Sequence, residues 1–237
     1  MHKNIAEEQR PTTQKHSFLW LELSLLFLAL PLFLALNPSV KVSVAIAFLA
    51  LIYVVYICKS VLCDHSYSIM WKYIRIAFTP EWKRLWPRVL VKFILFTLLT
   101  SIFVYIQMPG SLFIVLIKDP VLWLSVCLFY CFISVLPQEF LYRSFFFKRY
   151  KVLMSSDYGF ILLNALVFCA AHLMFYNWLV LLATFCGGLL FAYTYHKTRS
   201  FWLVSVEHSL YGLWIFTVGL GEMLAFPAAR AITQGVH

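Results

Sequence analysis

Long apolar runs separated by short polar stretches make up most of this 237-residue chain. A helix needs about 20 mostly apolar residues to cross the hydrocarbon core of a membrane. Turn-forming pairs such as Asn37-Pro38 and Pro109-Gly110 separate neighbouring runs. The pattern therefore predicts an all-α fold, a polytopic bundle of about seven transmembrane helices. The predicted spans are residues 17–36, 42–58, 89–106, 121–136, 158–175, 178–195 and 201–220.

Composition supports a membrane protein. Hydrophobic residues make up 62% of the chain and charged residues 12%, and the mean hydropathy is +0.83. Soluble domains are about 45–50% apolar and about 25% charged, so a soluble globular protein is excluded. The six cysteines lie in or beside apolar runs without any C-x-x-C pair, and we interpret them as packing residues.

The net charge of +9 is an orientation signal. Residues 59–92 mix Lys and Arg with Trp and Tyr, a composition typical of the membrane interface rather than of a nucleic-acid site. With the N-terminus inside, fifteen of the nineteen Lys and Arg residues fall on the cytoplasmic side. The positive-inside rule therefore predicts an N-inside topology, and no nucleic-acid partner is expected.

A few ionisable residues interrupt the later apolar runs. Glu139 and Arg143 are four residues apart, so one helical face can pair them. His172, Glu207 and His208 lie on two further predicted helices, and a bundle can bring all five residues into one cavity. Ionisable groups at membrane depth are costly, which favours a functional site. The alternative is a structural ion pair with histidines that only join helices.

Such a set suits amide hydrolysis by an activated water. A carboxylate beside a neutral imidazole can deprotonate water, and a second imidazole can hydrogen-bond the oxyanion. The chain has no G-x-S-x-G motif of a serine hydrolase and no H-E-x-x-H zinc motif. We expect no cofactor. Zinc stays open as an alternative, since His172, His208 and a carboxylate could supply three ligands.

Three short motifs follow one another in the second half of the chain: QEFLYR at residues 138–143, FCAAH at 168–172 and HSLYG at 208–212. They resemble the pattern EExxxR, FxxxH and HxxxN or HxxxD of the CAAX-protease and bacteriocin-processing (Abi) family of intramembrane proteases. The resemblance covers about residues 120–220. It implies a glutamate-dependent endopeptidase that cleaves a membrane-associated or lipidated peptide, either CAAX-like or a leader. By this resemblance, Glu139 and His172 activate water and His208 stabilises the oxyanion.

Two positions depart from the family pattern. Gln138 replaces the first glutamate, so either Glu139 takes its role or activity is lost. Gly212 stands where Asn or Asp is expected, and Glu207 is an extra carboxylate that could compensate. Two alternatives follow: an inactive relative that binds membrane peptides as a scaffold, or a small proton-coupled transporter using Glu139 and the two histidines. The transporter is disfavoured because the sequence shows no duplicated halves.

The predicted organisation has four parts. Residues 1–16 form a cytoplasmic tail, residues 17–110 hold the N-terminal spans and the basic interfacial loop, residues 111–222 form the protease core, and residues 223–237 form a C-terminal tail. We expect an integral multi-pass protein of a bacterial plasma membrane, with the basic loops in the cytoplasm. Its partners would be the lipid bilayer and the peptide substrate. The sequence predicts no oligomeric state.

Overall fold

A computed structural model describes residues 13–37, 52, 56 and 80–224, which contain helices and no strand. Six helices in this part are long and apolar enough to cross a membrane. We label the helices α1 (His16–Leu36), α2 (Pro80–Gln107), α3 (Pro120–Leu153), α4 (Asp157–Ala170), α5 (Trp178–Thr198) and α6 (Phe201–Val218).

The predicted all-α membrane fold is confirmed, and the six helices correspond to six of the seven predicted spans. The predicted span at 42–58 and most of the basic segment lie outside the described residues. Helix α2 begins at Pro80 rather than at residue 89, so the last part of the basic segment is helical. The N-inside orientation stays a prediction.

Helix α3 is unusually long. Its 34 residues correspond to about 51 Å, against about 30 Å of hydrocarbon core. The sequence suggested that the span ends near Pro137, but the helix continues through this proline. Two π-helical stretches, Tyr130–Val135 and Phe140–Phe145, flank the segment that carries Glu139. Such stretches in α-helices are frequent at functional sites.

Short capped connections arrange α4, α5 and α6 as neighbouring helices. Ser156 accepts a hydrogen bond from the first turn of α4, Asn177 from that of α5 and Ser200 from that of α6. Helix α6 ends at Gly219, whose φ of 106° needs glycine. At Gly188, α5 approaches the α4 backbone so closely that an added Cβ would lie 3.0 Å from the Cα of Ala165.

Aromatic rings dock α1 onto the end of α3. The Phe27 ring meets those of Tyr142, Phe146 and Tyr150 edge-on, with centroids 5.2–5.8 Å apart. All four side chains are buried. Edge-to-face pairs of this kind stabilise beyond the area they bury. The core of the described part therefore lies around the second half of α3.

An ion pair reinforces this docking. Both oxygens of the Glu22 carboxylate on α1 accept hydrogen bonds from Arg149, at 3.0 and 2.7 Å. The Tyr150 hydroxyl donates a third, at 2.7 Å. Glu22, an ionisable residue within the first apolar run, is thus paired.

Candidate active site

Glu139 is the centre of a fully buried charged cluster. Its Oε1 lies 2.8 Å from Nδ1 of His208 on α6, and its Oε2 lies 3.3 Å from Nε of Arg143. Glu139 and Arg143 have no exposed side-chain surface, and His208 is buried. The four-residue spacing thus pairs the acid with the guanidinium as expected, and α6 adds an imidazole to the same carboxylate.

Asn164 on α4 holds the guanidinium in place. Its Oδ1 accepts a 2.7 Å hydrogen bond from Nη1 of Arg143, and its Nδ2 donates to the Tyr142 carbonyl at 2.7 Å. The Arg143 guanidinium also lies over the Phe168 ring, 4.8 Å from its centroid. Asn164 was not predicted from the sequence, although an amide among apolar neighbours in a predicted span was a usable signal.

Phe168 lies between the two histidines. Its ring centroid is 4.9 Å from that of His172 and 5.7 Å from that of His208. The His208 ring also stacks on Phe191 at 4.6 Å, with an angle of 24° between the planes. The second motif therefore packs against the third through its own phenylalanine.

The hydrogen bonds indicate the tautomer of each neutral imidazole. His172 Nδ1 lies 2.8 Å from the Phe168 carbonyl, which only accepts, so Nδ1 carries the hydrogen. His208 Nδ1 likewise faces a carboxylate oxygen. In both neutral rings Nε2 is then an acceptor. No direct contact joins His172 and Glu139 in the way that His208 contacts Glu139.

Glu139 and His172 nevertheless lie at similar heights along antiparallel helices. Counted from the connection at residues 154–156, Glu139 is about 21 Å along α3, and α4 ends at Ala170 after about 20 Å, just before His172. His172 follows the end of α4 and is half-buried. The charged cluster is therefore closed around Glu139 and more open beside His172.

Glu207 faces away from His208 and toward α2. Its Oε1 lies 2.8 Å from Nζ of Lys92, and Glu207 has no exposed side-chain surface. Neighbouring residues point about 100° apart on a helix, so the two side chains reach different partners. No role was predicted from the sequence for the third span, which supplies this lysine.

Both residues that depart from the family pattern lie against side chains of α3. Gln138 donates a 2.8 Å hydrogen bond from Nε2 to Ser134 Oγ on its own helix. At Gly212, an added Cβ would overlap the ring and hydroxyl of Tyr130 on α3. The Tyr130 ring meets the His208 ring edge-on, with centroids 6.0 Å apart. Tyr130 was not predicted from the sequence, because nothing distinguished it from the many other aromatic residues in apolar runs.

Zinc stays an alternative that is not tested. Within the described ranges, no three His, Cys, Asp or Glu side chains are grouped so that they could hold a metal. The Glu139 oxygens face His208 and Arg143, so a cation bound at Glu139 would lie beside a guanidinium.

A helical bundle that buries a hydrogen-bonded acid, imidazole and guanidinium between spanning helices defines an integral membrane protein with a candidate acid–base site. Residues 120–214 match the family model described as type II CAAX prenyl endopeptidase Rce1-like. The family predicted from the three motifs, a membrane protease family, is thereby confirmed over this segment. Neither the curated proteins nor the solved structures gave a match.

The matched segment contains the five candidate residues, which are Glu139, Arg143, His172, Glu207 and His208. It lies within the predicted protease core of residues 111–222, whose boundaries stay a prediction. Lys92 and Glu22 lie outside the match, yet each contacts a residue inside it.

Proposed function

We propose that this protein is a glutamate-dependent intramembrane endopeptidase. Its substrate would be a membrane-associated or lipidated peptide, CAAX-like or a leader, cleaved by an activated water. The observation that carries the proposal is the 2.8 Å contact between Glu139 and His208, in a segment that matches a CAAX endopeptidase family. A carboxylate hydrogen-bonded to an imidazole is an arrangement that suits general-base catalysis, because the carboxylate orients the ring and stabilises the imidazolium.

The contacts favour His208 as the residue that takes the proton. Its Nε2 removes a proton from water while the water oxygen attacks the peptide carbonyl carbon. Glu139 stabilises the imidazolium that forms, and His208 then gives the proton to the leaving amine nitrogen. The acceptor Nε2 of His172 would orient the attacking water. These roles exchange the two imidazoles relative to the family resemblance, which paired Glu139 with His172.

The charged side chains around the proposed base balance one another. Two acids, Glu139 and Glu207, face two cations, Arg143 and Lys92, so the cluster is neutral while both histidines are neutral. An additional buried charge is expensive unless a partner lies beside it. An imidazolium that forms at His208 has such a partner, because the Glu139 carboxylate lies 2.8 Å from its Nδ1.

The test is peptide cleavage by the full chain in vesicles, using fluorogenic peptide libraries with and without a farnesylated cysteine. Glu139→Gln keeps shape and loses charge, so we expect kcat to fall about 10²- to 10⁴-fold. Glu222→Gln changes an exposed carboxylate just beyond α6 and is the matched control. If Glu139→Gln cleaves peptides with the kcat of wild type, the glutamate dependence is refuted. Peptide binding without any cleavage by wild type would favour the inactive relative.

Histidine variants separate the two role assignments. If Glu139 and His208 act as one unit, the double variant Glu139→Gln/His208→Gln loses no more activity than either single variant. His172→Gln should then reduce kcat less than His208→Gln does. If His172→Gln lowers kcat more than His208→Gln does, and the effects of Glu139→Gln and His208→Gln add in the double variant, water activation would be assigned to Glu139 and His172 instead.

A further inference from the structure

Tyr130 occupies the space that the third motif leaves empty. Gly212 lies one helical turn after His208, on the same face of α6, where the resemblance leads to an Asn or Asp. A Cβ at this glycine would collide with the Tyr130 hydroxyl and the ring carbons next to it. The Tyr130 hydroxyl therefore lies where the side chain absent at Gly212 would begin.

Neighbouring rings fix the position of Tyr130. The Phe216 ring packs edge-on against it with centroids 5.2 Å apart, and the His208 ring lies on another side at 6.0 Å. Tyr130 is the first residue of a π-helical stretch of α3. The phenol is thus a half-buried polar group held beside the proposed base.

The proposed reaction needs a hydrogen-bond donor that the five candidate residues do not readily provide. Water attack creates an oxyanion, and preorganised donors near it contribute much of the catalysis. The neutral imidazoles of His172 and His208 present acceptors at Nε2, while Glu139 and Glu207 are carboxylates. Arg143 is fully buried between Asn164 and Glu139. A phenol is a donor at neutral pH.

We propose that the Tyr130 hydroxyl donates the oxyanion hydrogen bond in this protein, replacing the side chain absent at Gly212. The inference rests on the proposed endopeptidase function. It makes Gly212 a necessary companion of Tyr130, because any larger residue there would displace the phenol. Tyr130 then compensates for the glycine at position 212, so this departure from the family pattern does not abolish activity.

Tyr130→Phe removes the hydroxyl alone. We expect kcat for peptide cleavage to fall about 10²- to 10³-fold, the effect of deleting one oxyanion donor, while KM stays within about twofold. Tyr105→Phe, which removes a hydroxyl from an exposed tyrosine on α2, is the matched control and should cleave like wild type. A change in KM at constant kcat would overturn the inference, because it would indicate ground-state binding only.

A rescue experiment separates catalysis from folding. Tyr130→Ala opens the space beside Gly212, and Gly212→Asn in that background should recover at least about tenfold in kcat. Gly212→Asn alone should be inactive, since Tyr130 blocks the side chain. If Tyr130→Phe also lowers the unfolding midpoint, the double variant Tyr130→Ala/Gly212→Asn decides between a catalytic and a structural role. Failure of this double variant to recover activity would overturn the inference.

The outcomes also distinguish this inference from the proposed function. If the wild-type protein cleaves peptides and Tyr130→Phe has the same kcat, only the role of Tyr130 is overturned. Absence of cleavage by wild type itself would overturn the proposed endopeptidase, and the oxyanion role would fall with it.

Discussion

Replacing Lys92 by methionine tests whether α2 supplies the counter-charge of Glu207. The Lys92 ammonium lies 2.8 Å from Oε1 of a carboxylate with no exposed surface. The second oxygen of Glu207 is buried and has no hydrogen-bond partner among the described residues. Methionine keeps the aliphatic length of lysine, so the variant removes the charge and little packing. It would leave a buried carboxylate without its nearest cation.

The expected magnitude follows from the burial of the two partners. Breaking a buried pair costs about 3–5 kcal/mol, whereas an exposed pair contributes about 0–1 kcal/mol. The Lys92 side chain is 33% exposed and that of Glu207 is 0% exposed, so the pair lies between these limits but nearer the buried one. We expect Lys92→Met to lower the free energy of unfolding by about 2–3 kcal/mol.

The assay is reversible unfolding of the full chain in mixed micelles, followed by helical circular dichroism. Lys83→Met removes an exposed lysine from the same helix and is the matched control. The double variant Lys92→Met/Glu207→Gln removes both charges and should recover about half or more of the loss. The reasoning is refuted if Lys92→Met lies within about 0.5 kcal/mol of wild type, or if the double variant is no more stable than Lys92→Met.

Four further outcomes are expected. Asn164→Ala deletes the acceptor of Arg143 and should cost about 2–3 kcal/mol in the same titration; an unchanged midpoint would contradict the buried network. Glu22→Gln should cost about 1–3 kcal/mol by weakening the docking of α1, and neutrality would show that the aromatic contacts suffice. Gly188→Val pushes methyl groups toward the α4 backbone and should cost about 1–3 kcal/mol, whereas Gly110→Ala, in open space, should be neutral; equal effects would reject the close helix contact. Peptide cleavage should persist in the presence of a strong chelator. If the chelator abolishes cleavage and added zinc restores it, a reaction without metal is rejected.

Local patterns made much of the fold and the acid–arginine pair predictable. The apolar runs predicted six helices of the described part, and most of the predicted ends lie within a few residues of the observed ones, because spanning length and hydrophobicity are properties of each segment alone. The start of α2 and the end of α3 were exceptions. The mixed basic and aromatic sequence before residue 89 was attributed to an interface, and Pro137 was taken as the end of a span that continues to Leu153. The pairing of Glu139 with Arg143 followed from helical periodicity.

Contacts between helices were harder to predict, because they depend on the rotation and relative height of each helix. His208 contacts Glu139 although Glu207 is its neighbour in sequence, and only the orientation of α6 decides between them. In α3 two π-helical stretches shift the face that a regular 3.6-residue count would give. Tyr130 and Lys92 could not be assigned to the site for the same reason.

The ion pairs made by α1 and α2 determine whether the family-matched segment can be separated from the rest of the chain. Glu22 and Lys92 lie before the family-matched segment, yet they provide the carboxylate beside Arg149 and the ammonium beside Glu207 within it. A shortened chain that kept only the matched helices would lose both neutralising partners at once. The matched segment therefore depends on α1 and α2 for these two ion pairs, and a transplant or minimal version of this protein must include both helices.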